Sequence, residues 1–263
     1  LELSKLCDVY INDAFGTAHR AHASTAGIAE FVKDKGMGFL MQKEVENLDL
    51  VLNNPKKPFV AILGGAKVSD KIAVVENFSK TADTMIVAGA MAYTFLKAKG
   101  VEVGSSMVEN DKVELAKKII SRFETKGSKL LLPVDHIVAD ELKEGVKWDV
   151  TKDANIPAGK KGLDIGPKTI ELFKSALKDA AMVVWNGPMG VFETKPFDNG
   201  TVEIAKLLAE SNAHTVVGGG DSASAVKKAG VMNKITHVST GGGASMEFLE
   251  GIKLPGIAAL EEK

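Results

Sequence analysis

The sequence predicts an α/β protein built on a doubly wound parallel sheet in three layers, with the remnant of a second, similar α/β domain ahead of it. Three observations carry this reading. Short aliphatic and β-branched runs alternate with helix-period stretches, the pattern of strands joined by helical crossovers. Five of these runs lead into glycine: FVAIL (59–63) before GGAK, TMIV (84–87) before AGAMAYTFLKA, MVVW (182–185) before NGPMGVFE, HTVV (214–217) before GGGDSASAVKKA, and THVS (236–239) before TGGGASMEFLEG. The first 58 residues are organised differently, as a lone strand and a loop leading into a long helix.

Taken in order, KLCDVYIND reads as a strand, AFGTAHRAHASTAG as a loop and GMGFLMQKEVENLDLVLNN as a helix. Met41, Val45, Leu48 and Leu52 fall at i, i+4, i+7 and i+11, one apolar stripe, and Pro55 and Pro58 end it. One strand cannot make a domain. Residues 1–37 therefore read as the remnant of a neighbouring domain, 38–57 as the interdomain helix and linker, and 58–250 as the intact domain. Residues 251–263 read as a segment returning toward the neighbour. KLLLPV (129–134) is a further strand, and the turn-rich stretch to about 166 reads as inserted strands and loops.

With right-handed crossovers, the C-terminal ends of all parallel strands lie on one edge of the sheet. The glycines then gather along one rim, where open α/β sheets bind ligands. Glycine admits a ligand close to the backbone, and helix N-termini offer N–H groups to anions. Any one of them could serve only as a tight turn. Five together, two of them triple-glycine runs, point to a phosphate ligand.

The bulk numbers exclude other classes. The 263 residues are 45% hydrophobic and 25% charged, the proportions of a soluble globular protein. A net charge of -1 argues against non-specific nucleic-acid binding, and no apolar run approaches the roughly 20 residues that span a bilayer. A single cysteine, Cys7, excludes an intrachain disulfide framework and suits a reducing cytoplasm. The opening LELSKLCDVY lacks a leader and starts in mid-pattern, which is expected of a fragment.

Three nucleotide-site patterns can be tested. GxxxxGK[ST] is absent, because GGAKVSDK has adjacent glycines and no Ser or Thr directly after either lysine. G-x-G-x-x-A occurs as Gly218, Gly220 and Ala223, but no acid for a ribose stands between Asp221 and Glu247. An NAD-dependent Rossmann-type oxidoreductase is therefore the weaker alternative. The glycine-rich and HRD loops of protein kinases are missing too.

Taken together, DVYINDAFGTAHRAHAS, ILGGAKVSDKI, GLDIGP, VVWNGPMGVFE, VVGGGDSASAV and STGGGASMEFLEG resemble the phosphoglycerate kinase family, in the family's order, over residues 8 to 251. The resemblance implies a Rossmann-like nucleotide-binding domain at 58–250 and the remnant of a substrate domain at 1–37. It implies a monomeric parent enzyme of glycolysis that moves a phosphoryl group reversibly between 1,3-bisphosphoglycerate and ADP, giving 3-phosphoglycerate and ATP, with Mg2+. Most of the family's N-terminal domain would precede Leu1, and LPGIAAL resembles the family's C-terminus. The fragment itself is expected to bind nucleotide without turnover.

Site residues follow position by position. Lys67 and Lys71 are four apart, so on a helix they would share a face, at the end where cations oppose the dipole. That placement makes sense if something more negative than Asp70 sits over the helix end. By resemblance, Lys67 supports the transferring phosphoryl group and Lys71 contacts the nucleotide phosphates. Asp221 reads as an N-cap, and by resemblance as the Mg2+ ligand. The resemblance sets Gly219, Gly220 and Ser222 beside the phosphates, Gly220 among the catalytic groups. It implies that Glu193 accepts from the ribose hydroxyls and that Gly162 lines the adenine pocket, where a side chain would meet the base. His19, Arg20 and His22 crowd one loop, where an arginine fork suits phosphate or carboxylate. By resemblance, Arg20, with His19, binds the glycerate substrate, and Gly243 ends the triple glycine that opens a helix toward the substrate phosphate. Ile252, Leu254, Ile257 and Leu260 are expected as uncovered apolar surface, and Val9 and Ile11 as an unpaired strand.

Overall fold

A computed structural model describes residues 1–261, so the last two residues of the 251–263 segment lie outside the described residues. After a 3₁₀ turn at Leu3–Leu6, the chain forms β1 (Val9–Asn12), β2 (Asp34–Met37), α1 (Phe39–Asn53), β3 (Phe59–Leu63) and α2 (Ile72–Thr81). Next come β4 (Thr84–Val87), α3 (Met91–Ala98), α4 (Val113–Lys126), β5 (Lys129–Leu131), β6 (His136–Ala139), β7 (Trp148–Val150) and β8 (Lys161–Ile165). The remainder is α5 (Pro167–Leu177), β9 (Met182–Asn186), α6 (Asn199–Glu210), β10 (His214–Gly218), α7 (Gly220–Lys228), β11 (His237–Val238), α8 (Gly243–Leu249) and α9 (Pro255–Ala258).

The main sheet has six parallel strands in the order β11-β10-β9-β3-β4-β5. Starting from its centre, the chain winds outward through β3, β4 and β5, crosses back, and winds the other way through β9, β10 and β11. This is the order of a dinucleotide-type doubly wound sheet, with its reversal point between β3 and β9. The predicted α/β class is what the chain forms. All five residues of FVAIL are buried, since a central parallel strand is covered on both faces. Phe59, Ala61 and Leu63 face a layer that includes α1, α2, α4 and α8, while Val60 and Ile62 face α5, α6 and α7. β6 to β8 form a separate three-stranded antiparallel sheet inserted after β5, matching the expected insertion.

Several boundaries differ from the sequence reading. MVVW extends to Asn186, but NGPMGVFE then runs as a loop and the next helix starts only at Asn199. KLLLPV keeps a strand only over Lys129–Leu131, and THVS only over His237–Val238. The strand in KLCDVYIND is confined to Val9–Asn12, and it is not alone: it pairs in parallel with DKGM (Asp34–Met37). That partner has no β-branched residue to announce it. The helix starts at Phe39 after Gly38, where Asp13 Oδ1 accepts from the Met41 N–H at 2.9 Å. Its buried face is Met41, Glu44, Leu48 and Val51, while Val45 and Leu52 are only half-buried.

The C-terminal segment is covered. Leu254, Ile257 and Leu260 are buried, Gly256 N–H donates to the Ala18 carbonyl at 2.8 Å, and of the four apolar residues only Ile252 is exposed. Phe15 and Ala18, both fully buried, belong to the same apolar cluster. The expectation of uncovered apolar surface there is thus corrected, because the loop after β1 supplies the cover. Val9 and Ile11 stay more than half exposed, since β2 takes one edge of β1 and leaves these side chains facing solvent.

Candidate functional site

The rim at the β3–β9 reversal is built from three loops zipped backbone to backbone. Gly64 N–H donates to Asn186 O at 2.9 Å, Gly65 N–H to Pro188 O at 3.1 Å, and Gly89 N–H to Met189 O at 3.0 Å. A Cβ on Gly64 would fall 2.1 Å from the Pro188 carbonyl oxygen, and one on Gly187 would fall 2.2 Å from that of Gly64. These glycines are needed for loop against loop, not for a ligand's approach, which corrects part of the sequence reading. Gly220 differs: a Cβ there meets nothing within 4 Å, so the first turn of α7 faces open space.

Beside this rim lies a cavity of about 270 Å³, near the lower end of small-ligand sites. Tyr93, Met107, Leu163, Met189 and Val191 make it largely apolar, and Glu193 and Asp221 also line it. Gly162 forms part of the wall, where a Cβ would lie 2.2 Å from Tyr93 Oη and 2.8 Å from Ile156 Cδ1. Its first collision is therefore with Tyr93, before any base. A larger hollow of about 390 Å³ between α5 and α6 is walled by helix flanks, with no glycine loop or helix N-terminus in it.

Lys71, Asn186 and Asp221 form the polar side. Lys71 Nζ donates to Asn186 Oδ1, and Asn186 Nδ2 donates to Gly218 O at 3.0 Å, so one amide links the start of α2 to the ends of β9 and β10. Burial pushes the Lys71 ammonium below its usual range, and the charges of Asp221 and Asp70 partly offset this. The helix-face reading of the two lysines is corrected. Ser69–Lys71 is a 3₁₀ turn and α2 begins at Ile72, so exposed Lys67 stands before any helix and Lys71 at its cap. At that turn the Glu109 carboxylate accepts from the N–H groups of Val68 and Ser69.

The N-cap reading of Asp221 is corrected as well. Gly219, with φ of +89°, is the N-cap of α7, and Asp221 lies in the first turn, exposed and without a capping bond. Ser222 is fully buried and its Oγ accepts from the Gly187 N–H at 2.6 Å, so its side chain braces the β9 loop. Any ligand contact there falls to its backbone.

The second group of predicted residues also converges. Gly243 opens α8, and a Cβ on it would sit 3.3 Å from His19 Nε2. Arg20 Nε donates to the same Nε2 at 3.3 Å, and Arg20 is exposed. Phe15 packs so closely on Gly241 that a Cβ there would lie 2.3 Å from its ring. A Cβ on Gly218 would be 3.8 Å from Ser245 Oγ, which sets the end of β10 beside α8.

Sequence reasoning missed three buried groups. Asp164, 1% exposed, accepts from Gly200 N–H at 2.7 Å and Ile165 N–H at 2.9 Å. Burial still pushes its carboxyl up to about 8. Glu44 accepts from Thr240 N–H and Oγ1–H and pairs with His237 Nε2 at 2.8 Å. Burial works to raise the Glu44 carboxyl, but bonds from His237, Thr240 and Ser239 together hold it below its usual range. His136 is buried against Tyr93, with ring centroids 5.5 Å apart, and burial takes its imidazole down to about 4. Only the alternation of apolar and polar positions could have flagged such residues, and it points to surface for all of them.

The chain is similar to known proteins along almost its whole length. The sequence model of the family described as phosphoglycerate kinase matches residues 1–252. A phosphoglycerate kinase of Anaeromyxobacter dehalogenans (strain 2CP-C) is 60% identical over 261 residues, 99% of this chain and 66% of the relative. One from Clostridium botulinum (strain Alaska E43 / Type E3) is 58% identical over the same shares. The solved phosphoglycerate kinase of Coxiella burnetii superposes with a TM-score of 0.93 at 44% identity, covering 98% of this chain and 66% of that one. The chain thus spans 66% of the length of the curated relatives it matches. Over that length, with these loops at the reversal point of this sheet, the chain belongs to the phosphoglycerate kinase family.

Proposed function

We propose that this chain carries the nucleotide half of a phosphoglycerate kinase, and that the complete enzyme transfers a phosphoryl group reversibly from 1,3-bisphosphoglycerate to ADP. One observation supports this above all. A base-sized apolar cavity adjoins the Lys71–Asn186 pair and an open helix N-terminus at Gly220, at the point where the sheet reverses. In this reading the base lies against Gly162 and Tyr93, the ribose hydroxyls donate to Glu193, and the phosphates lie between Lys71 and the Gly219–Ser222 turn. Gly220 offers its N–H group, and Lys67, exposed at the loop tip, supports the group in transit. Phosphoryl transfer asks the protein for alignment and charge, and these residues supply both. The kinase names of the relatives favour this over an NAD-dependent oxidoreductase.

At the phosphate side the exposed carboxylate lining the cavity is Asp221, which fits a Mg2+ ion sharing phosphate oxygens. Bound there, Mg2+ would neutralise phosphate charge. Asp221 would hold it, and Lys71 would balance the remaining charge.

In the same reading, 1–37 belongs to the substrate domain, 38–57 links the domains, 58–250 binds nucleotide, and 251–263 returns to the substrate side. His19, packed at Gly243, and Arg20, bonded to His19, then bind the glycerate substrate. The chain by itself is a nucleotide-binding module: alignment of the acyl phosphate also needs the remaining third of the relatives' length. Titration calorimetry of the 263-residue chain with MgADP, beside a coupled kinase assay, tests both statements. Binding without turnover is expected. Near-normal turnover would refute the second statement, and no binding the first.

A further inference from the structure

The segment Ser106–Glu109 touches both halves of the candidate site, though nothing in its sequence marks it. At its far end Glu109, some 41 residues from Val68, places one carboxylate oxygen 2.5 Å from the Val68 nitrogen and 3.2 Å from that of Ser69. Glu109 is itself held, its N–H donating to Oγ1 of buried Thr94 on α3 at 3.1 Å. At the near end, Ser106 Oγ accepts from the Gly162 N–H at 2.9 Å, and Met107 lines the base cavity.

We propose that Glu109 is a positioning residue for Lys67, and that the Ser106–Glu109 strap ties the order of the Lys67 turn to occupancy of the base cavity. The peptide plane between Lys67 and Val68 is rigid, so fixing the Val68 N–H fixes the Lys67 carbonyl with it. Two converging N–H groups at the start of a helical turn would otherwise attract an anion. Filled by a carboxylate, they leave a ligand phosphate to Lys71 and the α7 turn, and they keep Lys67 at the tip of an anchored loop. A base pressing on Met107 and Gly162 would hold the strap and, through it, the turn. The kinetic part of this inference rests on the kinase reading; the anchoring part does not.

The test is amide hydrogen exchange over residues 64–71 in the chain, unsubstituted and as Glu109→Ala, Glu109→Gln and the control Glu114→Ala, whose exposed carboxylate pairs with Lys117. Glu109→Ala should speed exchange at Val68 and Ser69 by about 10- to 100-fold, the scale of a hydrogen bond to a charged group, with Glu109→Gln between and Glu114→Ala unchanged. Saturating adenosine, which carries no phosphate to reach Lys67, should slow exchange at these amides in the parent but not in Glu109→Ala. Unaltered exchange in Glu109→Ala overturns the anchoring, and equal slowing in both proteins overturns the coupling. In the enzyme completed with the remaining third of a relative, Glu109→Ala should lower kcat at least about tenfold with KM for ADP within about threefold. A raised KM with kcat intact refutes the positioning of Lys67. Should the unsubstituted chain fail to bind ADP, the nucleotide reading falls while the exchange at Val68 and Ser69 still decides the anchoring.

Discussion

Lys71 Nζ and Asn186 Oδ1 meet across 115 residues of sequence, joining the loop after β3 to the last residue of β9. The contact keeps a desolvated ammonium beside Asp221 without a full ion pair, so the lysine's protonation is open to whatever else arrives. A bound diphosphate would favour the charged form and raise the lowered pKa. MgADP binding should therefore take up a fraction of a proton at alkaline pH, where unliganded Lys71 has begun to lose its own. Calorimetry at about pH 9 in two buffers of different ionisation heat measures this, below the ordinary lysine value. The difference should vanish in Lys71→Met, and proton release in the parent would contradict it. The same lowering fixes a stability trend: between the folded value and the ordinary 10.5 the unfolded chain binds more protons. Lys71 alone should thus make stability rise with pH in that window.

Asp164 gives the opposite slope. Its carboxyl is raised by burial from 3.8 to about 8, so between those values the folded chain holds the extra proton. Stability from this group is full below about pH 4 and falls as pH climbs toward 8. Urea unfolding should show the parent losing stability across that range, by no more than about 1.4 kcal/mol for each pH unit. Asp164→Asn should flatten the profile. A parent profile already flat from about pH 5 to about pH 8 would remove Asp164 from the account.

Gly162→Ala should overpack the cavity wall. With Tyr93 Oη 2.2 Å and Tyr93 Cζ 2.6 Å from the new methyl, a hydroxyl deletion relieves only the nearer clash. A loss of about 1–3 kcal/mol in stability is expected, with weaker ADP binding. Gly162→Ala combined with Tyr93→Phe should recover part of each. Parent-like melting and binding in the single variant would show that the wall yields freely.

The C-terminal contact makes a separate prediction. Ile257, 9% exposed, sits in α9 beside the Gly256–Ala18 hydrogen bond, so Ile257→Ala should cost on the order of 2 kcal/mol or more. The Gly256 amide should be protected in the dilute parent and exposed in the variant. Free exchange at Gly256 in the parent would mean that α9 does not dock in solution.

The sequence revealed some of these elements and hid others. FVAIL, TMIV and HTVV were legible because an interior parallel strand is mostly aliphatic or β-branched and leads into a glycine turn. DKGM was not, because its strand form comes from pairing with β1 and not from its own residues. Glu44 is a charge outside the apolar stripe predicted for α1 yet faces inward, since His237 and Thr240 bind it from another part of the chain. Gly162, Glu193 and Asp221 were nameable from motifs, and they do line one cavity. Lys67 and Lys71 were placed on a helix because spacing of four suggests one, whereas the turn there is tighter. Glu109 and Asp164 act on backbone N–H groups distant in sequence, and no local pattern encodes a partner chosen by folding.

Trp185 has a use that its packing alone does not announce. It is fully buried at the end of β9, and its indole N–H donates to the Gly187 carbonyl at 2.7 Å, in the loop that leads into the cavity wall. The chain's other tryptophan, Trp148, is 43% exposed on the antiparallel insert. The two rings therefore emit from different surroundings, one dry and hydrogen-bonded into the rim, the other open to solvent. Iodide should quench the red-shifted Trp148 and spare Trp185, leaving a residual spectrum that follows the Gly187 carbonyl as the rim takes up a guest. The molecule carries its own optical gauge of that loop, with no label needed to read it.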